Sequence, residues 1–121
     1  MYMKLITPEI KNLVETESVA IATVMKQGTP NVIGVAFVKV IDDKLIVTDN
    51  FMNQTIEDIK NNSRVATIVW DKDMEGYKLL GEATYFDSGK WVEFVKDMPE
   101  NKDMPAKGAL VIKVDRVIKS T

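Results

Sequence analysis

Two absences limit what the side chains of this chain can do. Its 121 residues include no cysteine and no histidine. That removes thiolate nucleophiles, cysteine-ligated zinc and iron–sulfur clusters. It also removes Ser-His-Asp triads, imidazole acids and bases, and His-based metal sites. Any reaction falls to carboxylates, lysines and tyrosines, or to a bound cofactor. The carboxylates of Asp42-Asp43, Asp71–Asp73 and Asp97–Glu100 lie in expected turns. Turns face solvent, so these are expected to be solvated and not to serve a metal or acid–base role. Trp91 and Phe94 stand at helical spacing, which suits core packing or an interface.

The segment from Thr48 to Asn62 carries more. A strand ends in Thr48-Asp49, a loop crosses Asn50 to Asn53, and a helix opens at Gln54-Thr55. A helix N-terminus has free backbone N–H groups, and with a hydroxyl beside it becomes a phosphate site. Thr55 would supply that hydroxyl, and Gln54 an amide. The same residues also read as an ordinary helix cap, which is the commoner use of such a sequence. Gly34, inside an apolar strand, is a second clue, because a planar ring lying against a strand needs backbone without a side chain in the way. A barrel corner or a packing glycine is the alternative there.

The elements that position these residues follow from period and punctuation. Thr7-Pro8-Glu9 opens a helix over about residues 8–17: Thr7 caps, Pro8 suits the first turn, and Glu9 complements the dipole. Ser18–Lys26 and Asn31–Val40 read as strands joined by the turn Gln27–Pro30. Lys44–Asp49 is a third strand after the tight turn Asp42-Asp43, giving an antiparallel meander. A helix over 55–62 follows, with Asn53 or Gln54 near its cap, and then strands over Arg64–Trp70 and Tyr77–Phe86, with Gly81 marking a bulge. A helix over 90–98 with Ser88 near its cap, and a last strand over Gly108–Ile118, complete the chain. The expected fold is mainly β with short helices: a six-stranded antiparallel barrel closing to remove its edges. One domain over 1–121 is expected, with no repeat, low-complexity tract or linker.

Composition excludes further classes. Hydrophobic residues make up 45% and charged residues 28%, as in ordinary globular domains. The net charge is −2, the charges are interspersed, and only Arg64 and Arg116 are arginine, so nucleic acid is not an expected partner. No apolar run has the roughly 18 residues of a membrane helix, and Met1–Leu5 shows no secretory leader. A cytoplasmic location is the expectation.

The order of these pieces resembles the FMN-binding split-barrel proteins related to pyridoxamine 5′-phosphate oxidase, above all the small single-domain FMN-binding type. Three stretches carry the resemblance, which runs over about residues 8–118. They are ATVMKQGTPNV (Ala22–Val32), DNFMNQTIEDIKNNSRVA (Asp49–Ala66), and GEATYF followed by PAKGALVIKV (Pro105–Val114). The resemblance implies a split barrel that forms a homodimer with FMN at the subunit interface. It implies that Val32, Ile33, Gly34 and Val35 run beside the isoalloxazine ring. Thr48, Asp49, Asn50 and Phe51 would approach the ring edge and ribityl chain, and Gln54 and Thr55 the phosphate. Pro105 and Lys107 would approach the flavin of the other subunit. Many members carry a lysine or arginine where this chain has Gln54. The neutral amide forgoes a Coulomb attraction on the order of 1–4 kcal/mol for a dianion. Lys60, Arg64 or Lys107 of either chain are the candidates to restore it. The basic cluster that holds substrate phosphate in pyridoxamine phosphate oxidation has no counterpart here, so that activity is not expected. The implied function is electron transfer or an oxidoreductase reaction, with a redox partner protein or small-molecule substrate. Alternatives on the same fold are a deazaflavin cofactor or a cofactor-free dimeric binding module. Haem is disfavoured, because its commonest axial ligand, histidine, is absent.

Overall fold

The computed structural model describes residues 5–120. Met1–Lys4, part of the stretch inspected for a leader, lie outside the described residues. The chain runs α1 (Pro8–Thr16), β1 (Ser18–Val24), β2 (Pro30–Val35), β3 (Val38–Ile41), β4 (Lys44–Asp49), α2 (Gln54–Asn61), β5 (Arg64–Trp70), β6 (Gly76–Phe86), α3 (Lys90–Lys96), a single 3-10 turn (Pro99–Asn101) and β7 (Gly108–Lys119). Thr7 caps α1 as its sequence requires, accepting a hydrogen bond from the Ile10 amide at 3.2 Å. Ile10 and Val14 then turn inward together. Asn53 precedes α2 and Gly89 precedes α3, and neither supplies a side-chain cap.

The strands form one antiparallel sheet in the order β2-β1-β5-β6-β7-β4-β3. Its two edge strands, β2 and β3, follow one another in the chain with only Ala36-Phe37 between them. The sheet therefore curls until its edges meet at that bend, which is a split barrel.

The strand expected over Asn31–Val40 is two strands, so the sheet has seven strands rather than six. The expected meander is broken at the same place, since β2 pairs with β1 while β3 pairs with β4. The cause is tertiary. Val35 packs on the main core inside the barrel, and Phe37 packs on a second core outside it. The bend carries the chain from one to the other. Nothing in NVIGVAFVKV punctuates that change.

The main core includes Ile21, Leu45, Val47, Val69, Leu79, Leu110 and Ile112, all fully or almost fully buried. The second core lies between α3 and the outer faces of β4 and β7, and includes Ile46, Val92, Val95, Ala109 and Val111. β4 is covered on both faces, which explains its nearly unbroken apolar run. The register of β6 on β7 shifts between Leu80 and Gly81, the bulge expected from the glycine. A Cβ at Gly81 would collide with the backbone carbonyl of Lys113.

Asp43 departs from the solvated turn expected of it. It is only 7% exposed, and its carboxylate accepts the Leu5 and Ile6 amides, each at 3.0 Å. It ties the chain ahead of α1 to the β3–β4 turn. Among the described residues, no helix is long and apolar enough to cross a membrane.

Candidate functional site

β4 delivers Thr48 to the barrel surface, and the loop after it leads directly into α2. A groove of about 450 Å³ opens there between β2, the loop and the first turn of α2. Ile33, Gly34, Val35 and Ala36 form one wall. Thr48, Asn50, Phe51 and Met52 form the floor and rim. Asn53, Gln54 and Thr55 close one end, and Met104 reaches in from the loop before β7. Among the described residues, no side chain lining it is charged.

Eight of the twelve residues expected at the site line this groove: Ile33, Gly34, Val35, Thr48, Asn50, Phe51, Gln54 and Thr55. The other four do not. Val32 shares a strand face with Gly34, two residues away, but is 67% exposed outside the lining. Asp49 is fully buried behind the groove. Its carboxylate accepts the Met52 amide at 2.7 Å and the Tyr85 hydroxyl at 2.6 Å, so it braces the loop. Burial and the bond to Asp49 push the Tyr85 phenol well above the ordinary tyrosine range. Lys107 donates from Nζ to the Met52 carbonyl at 3.0 Å and lies 4.0 Å from Asp49. Pro105 is exposed. Its neighbour Ala106 donates its amide to the Asn50 side chain at 2.8 Å, which pins the loop before β7 against the groove. Met52, Met104, Asn53 and Ala36 were missed by sequence reasoning. Met104 comes from a loop remote in sequence, and no local pattern announces it.

Two hydroxyls face the groove, and each is held from behind by an asparagine. The Asn101 amide nitrogen donates to the Thr48 hydroxyl and to the Val95 carbonyl, both at 2.8 Å. A carbonyl only accepts, so Val95 fixes which end of the Asn101 amide is nitrogen. Thr48 therefore accepts from Asn101 and turns its own O–H elsewhere. The Asn31 amide nitrogen lies 3.4 Å from the Thr55 hydroxyl and 3.2 Å from Thr23. At the same end, the Gln54 amide donates to Asp58 Oδ1 at 2.7 Å. The first turn of α2 adds N–H groups without intrahelical partners.

The candidate cations divide clearly. Arg64 is engaged on the outer face with Glu82 and Asp115. Lys60 lines a separate hollow of about 330 Å³ between α2 and β6. Lys107 alone of the three touches the groove loop. Among the described residues, no group of three or more acidic side chains is arranged to hold a metal ion.

The fold that carries this groove is shared with known proteins. Residues 6–120 match the pyridoxamine 5′-phosphate oxidase family. The chain belongs to that family. A relative, an uncharacterised protein of Methanocaldococcus jannaschii, is 36% identical over 118 residues, covering 93% of this chain and 78% of the relative. The crystal structure of HupZ from Group A Streptococcus is 27% identical with a TM-score of 0.86, over 96% of this chain and 94% of that one. A putative pyridoxamine 5′-phosphate oxidase of Lactobacillus delbrueckii is 25% identical with a TM-score of 0.81, over 95% and 93% of the two chains. More distant members of the same fold include an FMN-binding protein of Syntrophomonas wolfei (18% identity, TM-score 0.77, 93% of this chain and 84% of that one). An F420 reductase also shares it (21% identity, TM-score 0.71, 92% and 97%). The family is one of flavin-binding, oxidoreductase-type proteins.

Proposed function

We propose that the groove binds FMN, and that the protein is a flavoprotein of electron transfer or an FMN-dependent oxidoreductase. One observation carries the reading: the groove joins a strand wall that is bare backbone at Gly34 to a helix N-terminus through a line of polar side chains. At Gly34 an added Cβ would meet nothing within 4 Å, so the wall there is bare backbone facing open space. Ile33 and Val35 flank it, and Phe51 and Met104 supply apolar rim. Such a slot suits a planar ring. Thr48 and Asn50 lie where polar ring edges and a ribityl chain would run. Thr55, Gln54 and the free N–H groups of α2 suit a phosphate. Bound FMN would supply the redox chemistry, and the protein the slot, the hydrogen bonds and the exclusion of water.

The exposed apolar rim of the groove and its surroundings fit a second copy of the chain. Val32 and Phe51 are 67% and 71% exposed, and Met104 and Pro105 are also exposed. A homodimer covering this apolar rim would bring Pro105 and Lys107 towards the partner's flavin. Asp49 acts from behind in either case, by holding the loop. The electron donor, acceptor or substrate would enter beside the exposed rim.

A deazaflavin is the second reading. It is favoured by the F420 reductase that shares the fold. The absorbance spectrum of purified protein, before and after a reductant, tests both. A yellow protein with about one FMN per chain, bleached on reduction, is expected. Deazaflavin recovered by mass spectrometry supports the second reading. Colourless protein that fails to quench added FMN fluorescence overturns the FMN reading, and failure to bind added deazaflavin as well leaves a cofactor-free binding module.

A further inference from the structure

We propose that Asp58 is a positioning residue for the phosphate end of the groove: through Thr23 and Asn31 it fixes the Thr55 hydroxyl as a hydrogen-bond donor to the ligand. The inference rests on the flavin reading of the groove. Asp58 sits on α2 and is 1% exposed. Its Oδ2 accepts the Thr23 hydroxyl at 2.6 Å, and its Oδ1 accepts the Gln54 amide at 2.7 Å.

The direction of every bond in this chain follows from its root. An ionised carboxylate only accepts. Thr23 must therefore point its one hydrogen at Asp58, and it has only lone pairs left for Asn31. Asn31 must then present its amide nitrogen, which lies 3.2 Å from Thr23 and 3.4 Å from Thr55. With its two hydrogens shared between those oxygens, Thr55 also receives. Thr55 is 2% exposed, it lines the groove, and among the described residues its own O–H has no acceptor. That hydrogen is left for the ligand. The Gln54 amide is held by the same carboxylate, with its second N–H uncommitted. A buried anion thus builds an anion-binding end without a cation, by orienting neutral donors. The arrangement accounts for Gln54 standing where many members carry a lysine or arginine.

Riboflavin lacks the phosphate, so the ratio of FMN to riboflavin affinity isolates this end of the site. The test measures both dissociation constants by flavin fluorescence quenching for the wild type, Asp58→Asn and Asn31→Ala. The wild type is expected to prefer FMN. Asp58→Asn lets the chain reverse, because an asparagine can donate to Thr23. FMN affinity is then expected to fall about tenfold, with riboflavin within about twofold. Simple electrostatics predicts the opposite sign, since deleting a negative charge near a dianion tightens binding. FMN affinity unchanged or raised in Asp58→Asn overturns the proposal. Asn31 is half-buried on an edge strand. Asn31→Ala therefore carries the test if Asp58→Asn does not fold. A lowered ratio is expected there, and an unchanged ratio overturns the proposal. A wild type that binds FMN and riboflavin equally overturns it and leaves the flavin reading standing. A wild type that binds neither overturns both.

Discussion

Gly34→Val separates the groove from the fold. Gly34 lies on edge strand β2 opposite Ala20, with an ordinary φ and open space where a side chain would project. Glycine within a strand costs roughly 0.5–1 kcal/mol relative to alanine, because it loses more backbone freedom on folding. A β-branched residue suits the pleated surface further, on a scale spanning about 1 kcal/mol. With nothing to collide with, the variant is expected to gain about 0.5–1.5 kcal/mol. For a chain of this size that raises the melting temperature by roughly 2–7 °C. The same side chain stands where the flavin plane would lie. Forcing a ring past it costs about 1–3 kcal/mol, as overpacking does in a core. FMN affinity should fall by about 5–150-fold. Thermal melts of the flavin-free protein and FMN fluorescence titration give the two numbers. Gly81→Ala is the control of opposite sign: its Cβ meets the Lys113 carbonyl, so it should lower the melting temperature. A lower melting temperature for Gly34→Val refutes the open wall. A raised one with unaltered FMN affinity refutes the placement of the ring.

Three further outcomes are expected. Tyr85→Phe leaves the buried Asp49 carboxylate short of a donor and should cost about 1.5–3 kcal/mol in chemical denaturation. Because the folded-state pKa of Tyr85 is raised, its contribution is complete below the ordinary tyrosine value near 10 and is lost as pH rises through the folded value. The wild-type and Tyr85→Phe melting curves should therefore converge in strong alkali, and a constant difference refutes the bond. Asp115 has its pKa lowered by the hydrogen bond and charge of Arg64, so the pair stabilises above the ordinary value of 3.8 and fades as pH falls through the folded value. The melting difference between wild type and Asp115→Asn should vanish in acid; one that persists below pH 2 counts against it. Gln54→Lys should tighten FMN by about tenfold with little effect on riboflavin, since it adds a charge at the phosphate end. Equal effects on both ligands would place the phosphate elsewhere.

Much of this protein was legible residue by residue. Thr7-Pro8-Glu9 announced α1, Gly81 its bulge, and the run from Thr48 to Thr55 the strand, loop and helix that enclose the groove. These signals are local: a cap, a turn or a period acts over a few residues, and the chain obeys it wherever it lies. The absence of cysteine and histidine equally needed no structure to remove whole classes of catalysis.

Tertiary structure alone decided the rest. The bend at Ala36-Phe37 has no turn residue; it exists because Val35 and Phe37 pack on different cores. Asp43 is expected in a solvated turn and Asp49 beside the cofactor, yet they and Asp58 are each buried against donors from distant segments. Met104 enters the groove from a loop about fifty residues beyond Phe51, and Asn101 orients Thr48 across 53 residues. Composition and period say which residues prefer burial or a turn. They do not say which donor will meet which acceptor once the sheet has curled, and in this groove that pairing sets where every hydroxyl points.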